Sequence, residues 1–239
     1  MTDRNLFEYF KNSYKHIISC DSEFIPSAGN LCEVLCFVYR DVITGEVWRC
    51  ENRQQVLDLP FNLNETLIVV FYATAEFESW IAWNCPLPTH VLDLWLENKN
   101  IFQSGEEEKG TFTMLNVAKN YDIPKELIMD DAEKNYWRDI ALDTKNYTKE
   151  LWQGLLDYCE KDTVLTAALV TPTLKQIEDT CLDIPIKNLA TQIVARGFSK
   201  GLEAWVYANG ISCDVAAIND YNKFFPQEKS NFLSDKNKI

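Results

Sequence analysis

Residues 16–24 read HIISCDSEF, and the fold and function that we expect follow from this stretch. Its apolar first half predicts a buried strand over residues 15–21. Because side chains two residues apart in a strand point to the same face, Asp21 and Glu23 present both carboxylates on one side of the strand end. Burial of such charges is costly unless a cation neutralises them, and carboxylate oxygens suit Mg²⁺ or Mn²⁺. A solvated strand end with two exposed acids explains this stretch equally well when it is taken alone.

The composition favours a globular protein with a substantial core. The chain has 239 residues, of which 46% are hydrophobic and 13% aromatic. That length accommodates one large domain, or one domain with an appendage. The formal net charge of −13 argues against a general nucleic-acid-binding surface. It does not exclude an enzyme that reaches a phosphate backbone through metal ions.

The cysteines and the hydropathy pattern indicate in which cellular compartment the protein is expected. The eight cysteines form no C-x-x-C pair, so we expect reduced thiols, no zinc site and an intracellular protein. The first residues lack the apolar segment of a signal peptide. Since no apolar run approaches the roughly 20 residues of a membrane span, we expect no membrane partner.

Strand patterns precede helix patterns along the chain, which predicts an α/β fold with a mixed sheet between helices. The predicted strands cover residues 15–21, 31–40, 47–51 and 66–73. The predicted helical segments are residues 76–84, 90–100 (a short helix or a helix–strand piece), 112–124, 148–178 with a kink or end at Pro172, and a last helix from near Pro185 to Asn209. We expect a short helical leader over residues 1–13, a charged loop at 104–110 and, over residues 125–147, a loop that covers a site.

Further acids and a tyrosine stand at positions where they can join the first pair. Tyr158 and Asp162 are four residues apart on the long helix and therefore share one face. Glu76 and Glu78 lie at the start of the helix after the fourth strand. Each feature alone has an ordinary explanation, as a surface helix or as acids that favour a helix dipole. Together they supply what two-metal phosphodiester hydrolysis needs.

These motifs resemble those of the DEDD 3′–5′ exonucleases of the tyrosine subtype, specifically the proofreading domain of family A DNA polymerases. The DxE motif is matched by Asp21-Ser22-Glu23, and the YxxxD motif by Tyr158-Cys159-Glu160-Lys161-Asp162. The resemblance covers roughly residues 14–178. It implies a ribonuclease H-like mixed sheet of about five strands, the first three antiparallel, flanked by helices.

The second motif of this family, HNAxFD, is matched only in part because no Asp is available here. Alignment on Phe77 places Glu78 at the position of the Asp, whereas alignment on the following helix places Glu76 there. The apolar residues four and seven positions after Glu76 favour Glu76. Glutamate in place of aspartate keeps the charge but adds a methylene, so rate and metal preference are expected to differ.

The resemblance implies two regions and a reaction. Residues 1–180 would form the exonuclease domain, and residues 181–239 a helical extension that resembles the start of the polymerase-linking region. Two Mg²⁺ or Mn²⁺ ions would be held by Asp21, Glu23, Glu76 and Asp162. Tyr158 would orient the water that attacks the terminal phosphodiester. The substrate would be a single-stranded or frayed DNA 3′ end, with a DNA polymerase domain as a possible partner, in the cytoplasm of a bacterium or of a phage-infected host.

Several residues and functions remain open at this level. Phe24 either stacks on a terminal base or belongs to the core, and His90 and Trp95 are interpreted as structural. Basic side chains in the segment before the last motif either contact phosphates or are simply solvated: Lys134, Arg138 and Lys145. The alternative functions are an RNA-processing exonuclease with the same site, and a catalytically weak scaffold or DNA-end-binding module.

Overall fold

The computed structural model describes residues 5–27, 31–102, 112–143 and 147–209. The strands are β1 (His16–Ile25), β2 (Glu33–Asp41), β3 (Val47–Cys50), β4 (Thr66–Val70) and β5 (Val91–Asp93). The helices are α1 (Leu6–Ser13), α2 (Arg53–Leu57), α3 (Ala73–Ala82), α4 (Leu94–Ile101), α5 (Met114–Asn120), α6 (Asp131–Asp143), α7 (Lys149–Thr180) and α8 (Ile186–Asn209). Short 3₁₀ turns cover Leu63–Glu65 and Lys125–Leu127.

The strands form one mixed sheet in the order β3-β2-β1-β4-β5. β1 pairs antiparallel with β2, and β2 antiparallel with β3, whereas β1–β4 and β4–β5 are parallel. The strand that carries the first acid pair is therefore central. This arrangement confirms the α/β, ribonuclease H-like architecture with its first three strands antiparallel.

Both faces of the sheet are covered, so neighbouring residues of one strand belong to different parts of the core. Ile17 packs in a cluster with α1, α4, α7 and α8, whereas Ile18 packs on the opposite face against α3. All positions of β4 are buried, as expected for a parallel strand with helices on both sides. On the α3 face, the Trp80 indole N–H donates to the Tyr39 hydroxyl at 2.9 Å.

Helix α8 packs closely against β5 and α3 through two glycines. A Cβ atom on Gly197 would lie 2.3 Å from the backbone oxygen of Val91, and one on Gly201 would lie 2.5 Å from the ring of Phe77. Larger residues at these positions would push α8 outward. Because both positions are glycine, the middle of α8 can lie beside the end of β5.

Three sequence-based expectations are corrected by the structure. Residues 125–147 were expected to be a loop, but α6 occupies most of them because Asp130 caps the helix by accepting the Glu133 N–H at 2.7 Å. Pro172 does not end α7, because buried residues on both sides of it, such as Leu169 and Leu174, hold the helix in the core, while the kink that was the other expectation stays a prediction. β1 continues to Ile25, so the first acid pair lies inside the β1–β2 ladder rather than at the strand end.

The turn between β2 and β3 agrees with the sequence-based expectation, whereas some other predicted features fall outside the described residues. The Thr44–Gly45 turn joins β2 to β3, with Gly45 at φ 76°. Six of the described cysteines form no disulfide: Cys20, Cys32, Cys36, Cys50, Cys85 and Cys159. The predicted loop at 104–110 lies outside the described residues, as does the chain beyond 209, and the domain boundary at residue 180 stays a prediction. No helix of the described part of the chain is long and apolar enough to cross a membrane.

Candidate active site

The central strand places two acids beyond the end of its parallel neighbour. Pairing of β1 with β4 ends at Ser19, whereas pairing with β2 continues through the acids. Ser19, Asp21 and Glu23 share the face that turns toward α7. A bulge in the β1–β2 register follows Glu23. Because β4 has ended at this level, helix α3 can bring side chains of its own next to the acid pair.

The first turn of α3 supplies the third acid. Glu76 is buried, at 5% exposure, and burial and then the charge of Asp21 raise its pKa. The start of α3 is fixed by Asp93, whose carboxylate accepts the Ala73 N–H at 2.9 Å and the Leu96 N–H at 3.0 Å. Tyr72, immediately before the helix, has φ 103°, an unusual value for a bulky residue that costs about 1–3 kcal/mol.

Helix α7 supplies Tyr158 and Asp162 on the face that contacts β1. The Ser19 hydroxyl donates to the Thr163 carbonyl at 3.0 Å, which joins the strand to the helix. The Cys159 sulfur lies 3.3 Å from Asp21 Oδ2 and 3.4 Å from the Asp21 backbone oxygen. These contacts place the YxxxD motif directly against the DxE motif.

Three ion pairs on the other side of α7 set its rotation. Glu160 accepts from Arg40 Nη2 at 2.8 Å and from Arg49 Nε at 2.9 Å. Arg49 Nη2 also contacts Asp157 Oδ1 at 2.7 Å. The arginines belong to β2 and β3, so the sheet holds the residue between Tyr158 and Asp162 and orients both toward β1.

The acids raise one another's proton affinity, as expected for like charges in a buried site. Burial, and then the charge of Asp162, raises the pKa of Asp21 to about 8. Burial and the charge of Asp21 raise the pKa values of Glu23 and Glu76 well above the ordinary range. Burial and the neighbouring carboxylates also raise the pKa of Tyr158, which keeps its hydroxyl protonated and able to donate.

A lysine from α6 reaches into this cluster. Lys134 Nζ lies 3.2 Å from Asp162 Oδ1 and 3.4 Å from Oδ2. Burial raises the pKa of Asp162, while Lys134 and a hydrogen bond from Tyr158 lower it. A second ion pair, between Lys161 and Glu133, joins α6 to α7. The helix that sequence reasoning took for a loop therefore contributes a cation to the site.

The donor atoms fit divalent metal ions. Glu76 Oε2 is buried and has no hydrogen-bond partner, which is an unfavourable state unless something else binds it. One potential ligand atom from each of Asp21, Glu23 and Cys159 lies within 4.8 Å of the others. Carboxylates from three separate elements match the hard oxygen ligands of Mg²⁺ and Mn²⁺, and Cys159 adds one softer atom.

The remaining predicted residues lie as follows. Glu78 is partly exposed, whereas Glu76 is buried and its pKa is raised by burial and by the charges of Asp21 and Asp162, so Glu76 stays the predicted acid of the second motif. Phe24 follows the bulge and is partly exposed. Arg138 is exposed on α6, where its charge lowers the pKa of Asp162. Lys145 lies outside the described residues.

Sequence reasoning missed Asp93, Cys159 and Glu160 as parts of the site. Asp93 had a detectable signal, since an Asp between a short apolar strand and a helix is a typical N-cap. Cys159 and Glu160 stand inside the third motif, but their partners on β1, β2 and β3 are more than 100 residues away. No local pattern indicates such contacts.

Comparisons with known proteins find similarity of fold but not of sequence. No protein-family model matches the chain, and no curated protein sequence matches it. The catalytic core of RRP6 from Trypanosoma brucei superposes with a TM-score of 0.52 at 12% identity, over 82% of this chain and 49% of that one. Escherichia coli RNase D, an exoribonuclease involved in structured RNA processing, superposes with a TM-score of 0.50 at 11% identity, over 81% of this chain and 48% of that one.

A third structure, RNase D of Trypanosoma brucei in complex with the RNA U12, gives a TM-score of 0.50 at 15% identity, over 88% of this chain and 70% of that one. The chain spans about half the length of the RRP6 core and of the bacterial RNase D. At these identities the likeness shows the fold. The narrower resemblance to proofreading domains of family A DNA polymerases is not confirmed and stays a prediction.

Proposed function

We propose that this chain is a metal-dependent 3′–5′ exonuclease that hydrolyses the terminal phosphodiester of a nucleic-acid strand and releases nucleoside monophosphates. One observation carries the proposal. Carboxylates from β1, α3 and α7 converge, with Glu76 and Asp162 buried and Asp21 and Glu23 partly exposed. Desolvation raises all four pKa values, mutual repulsion adds to this at Asp21, Glu23 and Glu76, and one oxygen of Glu76 is left without a partner. Such an arrangement is unfavourable by itself and becomes favourable when it binds cations.

The residues that would hold two Mg²⁺ or Mn²⁺ ions are Asp21, Glu23, Glu76 and Asp162. When bound, the ions supply an activated water and charge stabilisation of the leaving oxygen. The protein contributes the rest. Tyr158, held as a neutral phenol, orients the attacking water through its hydroxyl. Lys134, next to Asp162, offers a charged donor to a non-bridging phosphate oxygen.

The substrate class has two candidates. RNA is the first, because the neighbours of this fold include an exoribonuclease and a structure in complex with RNA. DNA is the second, because residues 196–214 resemble the segment after the exonuclease domain in phage-like family A polymerases, which would also make a polymerase domain the partner.

The alternative to an enzyme is a catalytically weak scaffold or DNA-end-binding module with the same fold.

Digestion of labelled oligonucleotides tests the proposal. RNA and DNA strands of one sequence, labelled at the 5′ end, are incubated with Mn²⁺ or Mg²⁺ and resolved by length. We expect a ladder that shortens from the 3′ end, and no ladder with EDTA, with Asp21→Asn or with Asp162→Asn. The ratio of the RNA and DNA rates assigns the substrate. A wild-type protein that is inert on both strands refutes the enzymatic proposal, and a binding assay on the same strands then tests the module.

A further inference from the structure

A cluster of two aromatic rings and two lysines lies beside the start of α3. Tyr72 and Trp95 meet edge to face, with 5.1 Å between their ring centroids. Lys200 Nζ lies 5.3 Å from the Tyr72 centroid and 5.4 Å from the Trp95 centroid, and Lys99 Nζ lies 5.0 Å from that of Trp95. These four residues are called the aromatic–lysine surface below.

This surface is fixed to the acid cluster by Asp93. The buried Asp93 carboxylate accepts one backbone N–H from the start of α3 and one from the start of α4. Tyr72 directly precedes α3, and Trp95 is in the first turn of α4. Glu76 follows Tyr72 by four residues, which corresponds to about 6 Å along a helix axis. A strand whose 3′ end lies at the acids can therefore reach the aromatic–lysine surface within a few nucleotides.

A groove continues from the surface between α4 and α8. Its volume is about 400 Å³, and Asn100, Arg196, Lys200 and Glu203 are among the residues that line it. It has this position because Gly197 lets α8 approach the end of β5. The basic side chains Arg196 and Lys200 in this groove pair with Glu97 and Glu203, and their remaining N–H donors suit a phosphate backbone.

Packing alone does not account for this arrangement. Tyr72 is 37% exposed and adopts φ 103°, a conformation that a bulky residue rarely takes. Strained backbone concentrates at ligand-binding positions. The Lys200 ammonium, whose side chain is only 15% exposed, lies against both rings and forms an ion pair with Glu203. An aromatic pair with adjacent cations is the usual platform for unpaired bases, which stack on the rings while lysines contact phosphates.

We propose that the aromatic–lysine surface binds an unpaired base of the single-stranded substrate, upstream of the 3′ end that the acids hold. This inference rests on the proposed function, and it departs from the structural interpretation of Trp95. The ligand class is single-stranded nucleic acid, RNA or DNA, since stacking on an aromatic ring does not distinguish the sugars.

The test separates strand binding from cleavage. Fluorescence anisotropy with EDTA measures affinity for a strand of about 12 nucleotides and for a dinucleotide. Cleavage of the dinucleotide is measured with Mn²⁺. The variants are Trp95→Ala, Trp95→Phe and Tyr72→Gly, since glycine removes the ring and accepts the positive φ. Trp205→Ala is the matched control, a half-exposed tryptophan on α8.

We expect Trp95→Ala and Tyr72→Gly to weaken binding of the long strand by about 5- to 150-fold, the range for loss of one stacked base. Trp95→Phe should retain most of the affinity, and the control Trp205→Ala should leave dinucleotide cleavage within about twofold of the wild type. If Trp95→Ala unfolds, Tyr72→Gly alone decides. Unchanged affinity in Tyr72→Gly, or an equal loss in Trp205→Ala, overturns this inference while wild-type cleavage upholds the proposed function. A wild type that neither binds nor cleaves overturns both.

Discussion

Replacement of Asp21 by asparagine should make the metal-free protein more stable. Burial and Asp162 raise the pKa of Asp21 to about 8, against an ordinary value of 3.8. Between these two pH values the folded chain holds a proton on Asp21 that the unfolded chain releases, so stability falls as the pH rises through this window. At pH 7 about three pKa units, each worth about 1.4 kcal/mol, separate the pH from the ordinary pKa. The cost is therefore at most about 4 kcal/mol.

Asparagine keeps the shape of the side chain and can still accept from Cys159, but it carries no charge. We expect Asp21→Asn to raise the melting temperature in EDTA at pH 7 by at most about 8–16 °C, at 2–4 °C per kcal/mol for a chain of this size. The difference in melting temperature between the variant and the wild type should narrow toward pH 5, because the Asp21 charge destabilises the wild type less there. Added Mn²⁺ should stabilise the wild type, by about 2.7 kcal/mol at one hundred times its Kd, and leave the variant nearly unchanged.

Differential scanning fluorimetry from pH 5 to pH 9 provides the measurement. Asp183→Asn, at an exposed aspartate between α7 and α8, is the matched control and should show no pH-dependent gap. The reasoning is refuted if Asp21→Asn is no more stable than the wild type at every pH in EDTA. An equal gap in the Asp183 variant would show that general charge reduction, rather than the acid cluster, is responsible.

Three further changes probe the surroundings of the site. Gly197→Ala places a methyl group 2.3 Å from the Val91 carbonyl and should lower stability by about 3 kcal/mol, measured by urea unfolding. Lys134→Gln should lower kcat/KM by about 10- to 150-fold through loss of one charged phosphate contact, measured on the labelled strand; an unchanged kcat/KM contradicts that role. Glu160→Gln should cost about 1 kcal/mol because the ion pair with Arg49 is partly exposed, and a thermal melt that matches the wild type would contradict it.

The sheet was predictable because its strands are marked by local patterns. The buried run of β4 and the alternation around Asp21 each occur within about eight residues of sequence, and the turn at Gly45 has a local signature. The helix α6 was missed because the polar composition of residues 125–147 suggested a loop, although the cap at Asp130 was a signal for it. A polar composition indicates that a segment is exposed to solvent, but it does not distinguish a loop from an exposed helix, which is polar on most of its surface.

The site was predictable only where motifs are short and local. Asp21 with Glu23, and Tyr158 with Asp162, follow from spacings of two and four residues. The choice between Glu76 and Glu78 depends on where α3 begins, which Asp93 determines from another strand. The contacts of Lys134 and of the aromatic–lysine surface depend on how helices pack on one another, which no single segment of sequence encodes.

Counting bound Mn²⁺ by electron paramagnetic resonance tests the central claim that the converging carboxylates form a two-metal site. The wild type, Glu76→Gln and Glu78→Gln are titrated with Mn²⁺ under one set of conditions. The account predicts about two bound ions for the wild type and for Glu78→Gln, and weaker binding or fewer bound ions for Glu76→Gln. A wild type that binds no Mn²⁺, or a Glu76→Gln variant that binds it as the wild type does, would contradict the account.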